Sequence, residues 1–256
     1  MTQVVDITSR DNPVLKRVRH LVNDPGACRK WHQAWLEGDH LIAAAQARGM
    51  HPSAVLVSES RRHMTLSSID WNAIQKVLVI PDQLMKELTT LDAPPAVGAL
   101  IDMPPSTGVG RDLPTVVLDR LQDAGNTGTI LRCAAAFGYR QVLAIKGTAS
   151  LWAPKTLRAG MGAHFGLNLV EGLSEDDLDA LSVPLMVTSS HQGQWVHEGR
   201  LPWPCAWVMG HEGQGVSPGL QARAAHHIRI AQPGGEESLN VAAAAAICLY
   251  AAAPKP

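Results

Sequence analysis

The chain holds 256 residues, 46% hydrophobic and 18% charged, at a formal net charge of −1. That balance excludes disorder along the whole chain and leaves enough apolar surface for one large or two modest domains. Near-neutral charge singles out no class of partner, and the opening "MTQVVDITSRDNPVLKRVRHL" carries no apolar run of signal-peptide length.

In chain order, the first stretch is locally basic: Arg10, Lys16, Arg17, Arg19, Arg29 and Lys30 stand against Asp6, Asp11 and Asp24 within residues 1–35. A solvated helix face and a phosphate-binding surface account for this equally well. "NPVLKRVRHLV" and "DHLIAAAQARG" space their apolar residues as helices do. "SAVLVSE", "KVLVIP" and "AVGALID" read as strands and "DQLMKELTTL" as a further helix. Together they predict a small α/β domain over residues 1–103. Pro104, Pro105, Ser106, Gly108 and Gly110 then interrupt two apolar runs, which predicts a linker over 104–113.

Residues 114–256 form the second expected domain. The runs "TVVLD", "QVLAIKG", "GLNLV", "PLMVTS", "CAWVMG" and "HIRIA" are mostly separated by helical segments or turns, the spacing of a mainly parallel sheet covered on both faces. Only the Ala-rich tail approaches the ~18 apolar residues of a membrane span, and its weak hydrophobicity suits a packed helix better. A cytoplasmic protein without membrane segments is expected. Cys28, Cys133, Cys205 and Cys248 form no CxxC and mostly sit in apolar runs, so they read as reduced core thiols with neither disulfide nor metal.

In open parallel sheets ligands gather at the carboxyl ends of strands, and three loops there are chemically unusual. In "LDRLQDAGNTGTILRCAAAFG" a strand ends, Gly125 and Gly128 flank Asn126, and a helix begins that carries Arg132. The bland account is a helix capped by Asn126 or Thr127 with Arg132 in solvent. In "CAWVMGHEGQGVS" Gly210, Gly213 and Gly215 follow a strand, without the GxGxxG order of a dinucleotide fingerprint or the GK[ST] ending of a phosphate loop. A tight turn is the alternative. The third, "GGEESLN", opens the Ala-rich helix, where a plain N-cap by Ser238 explains part of the pattern. Each loop sets bare backbone beside an uncharged hydrogen-bonding side chain and one charged group, as ligand-binding loops do.

In order and spacing these loops resemble the three motifs of the SpoU (TrmH-type) branch of the SPOUT RNA methyltransferases: "NTGTILRCAAAFG" the first, "MGHEGQGVS" the second and "ESLNVAAAAAICLY" the third. The match covers roughly residues 115–252. "ITSRDNPVLKRVRHL" followed by "WLEGDHLIAAA" more loosely resembles the family's accessory RNA-binding domain, of ribosomal-protein-like α/β fold. Two departures stand out: His211 where the second motif commonly has Asn, and Ala231 where the third commonly has Pro after Ile230.

The resemblance implies a C-terminal domain tied in a trefoil knot, a homodimer with the site near the subunit interface, and S-adenosylmethionine as cofactor. It implies transfer of a methyl group to a ribose 2′-hydroxyl of RNA, with ribosomal RNA favoured by the accessory domain and transfer RNA as second choice. By resemblance Arg132 is the central catalytic residue, Asn126 and Glu212 support it, and Ser238 and Asn240 position the reacting groups. Met209, Gly210, Gly213, Gly215, Ile230, Leu239, Asn240 and Val241 are the expected cofactor wall. Arg10, Lys16, Arg17 and Arg19 are the expected RNA contacts. A guanidinium holds its proton far above neutral pH and is a poor proton acceptor, so Arg132 reads as an electrostatic clamp on the hydroxyl, with base catalysis left open. Two rivals are a base-methylating relative and a non-catalytic knotted RNA-binding protein; the second should lack Arg132 or "SLNV", and both are present.

Overall fold

The computed structural model describes residues 2–63, 66–189, 193–234 and 239–255. They group into two units, one of residues 1–105 with 152–165, the other of 106–151 with 166–256. Among the described residues no helix is long and apolar enough to cross a membrane.

The first unit runs β1 (Gln3–Asp6), α1 (Pro13–Asn23), α2 (Ala27–Trp31), β2 (Gln33–Glu37), α3 (Asp39–Gln46), β3 (Ala54–Ser58), β4 (Lys76–Ile80), α4 (Asp82–Lys86) and β5 (Val97–Asp102). Its five-stranded sheet has the order β1-β4-β3-β5-β2. β4 lies parallel to β1 and β3, and β5 antiparallel to β3 and β2. The start of α1 is fixed by Asn12, whose Oδ1 accepts from Val14 N at 2.9 Å, and by Pro13, whose missing N–H costs nothing in a first turn. Leu15, Val18 and Leu21 are buried on one face of α1, which leaves Lys16 and Arg17 outside. The helix read over 82–91 stops at Lys86, and β1 and β2 are strands the apolar runs did not announce.

Residues 152–165 carry α5 (Pro154–Gly160), which belongs with this first unit although its sequence lies within the second. Arg158 ion-pairs with the buried carboxylate of Glu37 and donates to Thr90 Oγ1 at 3.2 Å, and Cys28 Sγ donates to Trp152 O at 3.3 Å.

The second unit contains β6 (Thr115–Leu118), α6 (Ala124–Ala136), β7 (Gln141–Ile145), β8 (Asn168–Leu173), β9 (Leu185–Thr188), β10 (Gln194–Trp195), β11 (Ala206–Met209), α7 (Pro218–Arg223), β12 (His226–Arg229) and α8 (Val241–Ala252). Its seven strands lie in the order β10-β12-β9-β11-β6-β7-β8, and every described pair is parallel. Val117, Leu143, Val170, Val187, Val208 and Leu220 form a core cluster on one side. Burial pushes the Cys205 thiol up to about 11 and the Cys248 thiol up to about 12, which keeps both protonated and unreactive.

Residues 106–113, inside the span read as a linker, are tied to this unit. Gly110 N donates to Gln141 Oε1 at 2.7 Å, Gln141 Nε2 returns to Gly110 O at 3.1 Å, and Thr107 Oγ1 donates to Asn168 Oδ1 at 2.8 Å.

Candidate active site

The strand order turns at β6: later strands β7 and β8 lie to one side, and β11, β9, β12 and β10 to the other. Crevices open at the carboxyl ends of strands where the order reverses. Here the loops leaving β9, β11 and β12 and the start of α8 enclose a cavity of about 610 Å³. Of the expected cofactor wall, Gly210, Gly213, Gly215, Ile230, Leu239, Asn240 and Val241 line it, as does Glu212. Met209 does not: as the last residue of β11 its side chain is buried in the core, while its carbonyl accepts from Asp119 N at 2.8 Å. Ser238 lies outside the described residues.

The loop after β11 is a tight structure in its own right. His211 N donates to Gly215 O at 3.0 Å and Gly215 N returns to His211 O at 2.8 Å. A Cβ on Gly210 would sit 2.3 Å from the Gly215 carbonyl carbon, so the backbone leaves no room for one, and Gly215 itself has φ +69°. Within the turn His211 Nδ1 accepts from Gly213 N at 3.0 Å and from Gln214 N at 3.3 Å. The acceptor role places the ring proton on Nε2. An Asn carbonyl at this position has the same acceptor chemistry, so the departure at 211 keeps the bonding of the turn.

Glu212 projects from this turn to the start of α6. Its Oε2 accepts from Gln122 N at 3.1 Å and its Oε1 from Asp123 N at 3.1 Å and Asn126 Nδ2 at 3.4 Å. Burial alone would raise this carboxyl, but the N–H groups of Gln122, Asp123 and Glu212 itself, with the Asn126 amide, hold it below its ordinary range. Asn126 Oδ1 in turn accepts from Asn240 Nδ2 at 3.1 Å. One hydrogen-bonded chain thus joins all three loops.

The helix caps differ from the sequence reading. Asp123, not Asn126 or Thr127, caps α6, accepting from Asn126 N at 2.8 Å, which frees the Asn126 side chain for Glu212 and Asn240. Asn240 caps α8, with Oδ1 accepting from Ala242 N at 2.9 Å and Ala243 N at 3.3 Å. Two further residues hold the loops and were not singled out from sequence. Asp119, fully buried, accepts from Arg120 Nε at 2.8 Å and Ser217 N at 2.6 Å, and Arg120 Nη1 donates to Gln214 Oε1 at 3.2 Å. The available signal was an Asp-Arg pair directly after the apolar run "VVL".

Arg132 is not part of this arrangement within one chain. It is exposed on α6, lines no part of the cavity and makes no hydrogen bond or ion pair among the described residues. In the first unit the four expected RNA contacts are unequal. Arg10 pairs with Glu87 at 2.9 Å and Lys16 with Asp11 at 2.9 Å. Arg19 bonds the carbonyls of Leu15 and Arg10. Among the described residues Arg17 has no carboxylate partner; it lies over the Trp31 ring at 5.6 Å and donates to Gln33 Oε1 at 3.0 Å. Among the described residues no His, Cys, Asp or Glu cluster suited to a metal ion is found.

Residues 114–250 match the family model described as the SpoU rRNA Methylase family. The chain is 30% identical over 267 residues to an uncharacterized tRNA/rRNA methyltransferase of Synechocystis, spanning 98% of this chain and 94% of that protein. A 23S rRNA guanosine 2′-O-methyltransferase of Bacillus subtilis is 31% identical over 219 residues, 84% of this chain and 86% of that one. Among solved structures, the AdoMet-bound rRNA methyltransferase of Sinorhizobium meliloti superposes with a TM-score of 0.81 at 26% identity, over 97% of each chain.

Proposed function

Because the chain belongs to the SpoU rRNA methylase family, we propose that it uses S-adenosylmethionine to methylate a ribose 2′-hydroxyl of ribosomal RNA. The observation that carries this reading is the chain Glu212–Asn126–Asn240, which gathers three separate loops at the mouth of the cavity. The cavity suits the cofactor: about 610 Å³ is within the range of small-molecule sites, Ile230, Leu239 and Val241 give an apolar wall, and Gly210 lets backbone form the floor. When bound, the cofactor would supply an electrophilic methyl group on a sulfonium.

The residues of this chain then have distinct tasks. The turn 210–215 holds the cofactor by backbone, and His211 keeps that turn closed from within. Glu212 fixes the start of α6 through two backbone N–H groups and so sets where Asn126 stands. Asn126 and Asn240 orient the ribose, each locked by the other. Arg132 supplies positive charge to the hydroxyl oxygen as negative charge develops there, which favours loss of its proton.

A single chain leaves Arg132 away from the cavity, and the homodimer answers this. On α8, Ile247 and Tyr250 are exposed at 40% and 71%, and Phe137 meets Tyr250 edge-on with ring centroids 5.6 Å apart. A helix apolar all round is built to be covered. A second copy docked on this face covers it and brings one subunit's Arg132 toward its partner's cavity. The trefoil knot, a cytoplasmic setting and RNA binding by the first unit complete the proposal.

The product tests it. Alkaline cleavage of RNA needs the 2′-hydroxyl as nucleophile, so ribosomal RNA treated with protein and S-adenosylmethionine should yield a methylated dinucleotide that survives alkali. Methyl recovered wholly on mononucleotides overturns the ribose assignment in favour of a base.

A further inference from the structure

β1 is an edge strand of the first sheet, and one face beside it is incompletely covered. Val4 of β1 pairs with Val77 of β4, and Val79, two residues on, pairs with Val57 of β3. Paired residues and residues two apart share a face, so these four valines lie side by side. Between β3 and β4 the described residues form two single 3-10 turns, Glu59–Arg61 and Trp71–Ala73, where a longer helix would cover that face. A cavity of about 600 Å³ results. Val57, Val77 and Val79 are its packed floor, while Val4, 54% exposed, and the half-buried Leu66 and Trp71 supply the apolar surface that a ligand can reach. The indole is held in place by a hydrogen bond from Trp71 Nε1 to Leu66 O at 3.2 Å.

The rim is basic. Arg61, Arg62 and His63 line the cavity, and no described acidic residue does. Arg62 is tied to Asp6 at 2.8 Å, but Arg61 and His63 make no hydrogen bond or ion pair among the described residues. Arg61 also lines a smaller adjoining cleft of about 220 Å³, together with Lys86. The one described carboxylate in that cleft, Asp82, already accepts from Ser60 N at 3.2 Å. Unpaired cations at the mouth of an apolar cavity match a flat ring carried on an anion. A nucleotide is such a ligand, and in RNA a base is free to leave its stack for an aromatic side chain only where the strand is unpaired.

We propose that this cavity takes one unpaired nucleotide of the RNA, its base against Val4 and Trp71 and its phosphate on Arg61, with His63 as a second donor. The inference rests on the reading of the chain as an RNA methyltransferase and deepens it, giving the first unit a contact to a base where α1 offers cations alone.

The test is fluorescence anisotropy on the full chain, without cofactor, using a single-stranded RNA octamer and an octamer of the same length and charge that lacks its bases. The wild type should bind the intact octamer about tenfold more tightly, the scale of one stacked base. Val4→Lys, at an exposed position of an edge strand, obstructs the cavity yet adds a cation, and should hold the two octamers within about twofold of each other. Trp71→Leu should do the same. Arg61→Ala should weaken both octamers alike and lower the slope of log affinity against log salt by about 0.7. A tenfold preference that survives in folded Val4→Lys overturns the assignment, as does a wild type that binds the two octamers equally. Loss of a sedimenting dimer in Val4→Lys also overturns it and gives the face to a second copy of the chain. Binding is read here without methyl transfer, so failure of the alkali test above would leave this result standing, and failure here would leave that one.

Discussion

Asn240 Nδ2 donates to Asn126 Oδ1 at 3.1 Å, across 114 residues of chain. Each of the two also sits at the start of a helix, Asn240 as the cap of α8 and Asn126 just inside α6. The pair therefore sets the relative position of two helix ends, and Glu212 holds it from the far side.

Glu212 makes that clamp acid-sensitive in a defined direction. Its carboxyl is held below the ordinary value of 4.5, so its contribution is fully present above that pH and is lost as pH falls through the lowered value. The melting temperatures of wild type and Glu212→Gln should differ by a constant amount from pH 8 to about 5 and converge in stronger acid. A difference that shrinks already between pH 7 and 6 would show that some other group governs it.

Arg132→Ala should leave cofactor affinity within a few-fold and cut the single-turnover rate by roughly two orders of magnitude, the usual loss for one electrostatic partner of a transition state. Arg132→Lys should recover little, because an ammonium lacks the planar fork. Equal losses in affinity and rate would place Arg132 in cofactor binding instead.

His211→Asn should keep the turn, since a carbonyl oxygen can accept from the N–H groups of Gly213 and Gln214, and cofactor affinity should stay within about threefold. His211→Ala leaves both donors unpaired and should weaken binding about tenfold. If Asn and Ala behave alike in calorimetry, the imidazole does something other than accept those bonds.

Tyr250→Glu puts a charge on the apolar face of α8 and should convert a sedimenting dimer into monomers. Methyl transfer should fall with dimer content while the monomer stays folded by circular dichroism. A variant that remains dimeric rejects this face as the interface.

For RNA binding, Arg17 is the informative side chain of its group. Arg17→Ala should lower the slope of log affinity against log salt by about 0.7 to 0.9, one phosphate contact. Arg19→Ala should change stability more than slope, because Arg19 bonds the carbonyls of Leu15 and Arg10. An unchanged slope in Arg17→Ala would leave that cation facing solvent.

Much of the fold was legible where the pattern was strong. "VLVI" and "AWVM" are unbroken apolar runs and form buried strands, and the mainly parallel α/β sheet follows from the spacing of such runs. β1 was not, because Gln3–Asp6 is mostly exposed and shows no buried run. β2 starts directly after α2 and ends in Glu37, whose burial depends on Arg158, far along the chain. The caps failed for a local reason: Asp123, Asn126 and Thr127 all suit an N-cap, and composition does not rank them. The motif residues of the cavity wall were legible through their resemblance. Met209 was not, since the last residue of a strand points inward or outward by parity alone. His211 needed coordinates, because its role rests on which donors stand nearby.

The return of Trp152–Phe165 to the first unit bears on how the chain is made. During synthesis the strands of the first sheet have all emerged once Asp102 is out, yet Glu37 has no cation until Arg158 follows. The first unit waits with an uncompensated carboxylate while β6, α6 and β7 of the second are being added. That unit is complete once Phe165 has emerged, with β8 through α8 of the second unit still to come, so the usual vectorial order is delayed by one helix and not reversed. A cut between the two units would leave the amino-terminal fragment short of its last helix, and the other fragment carrying that helix with nothing to pair it.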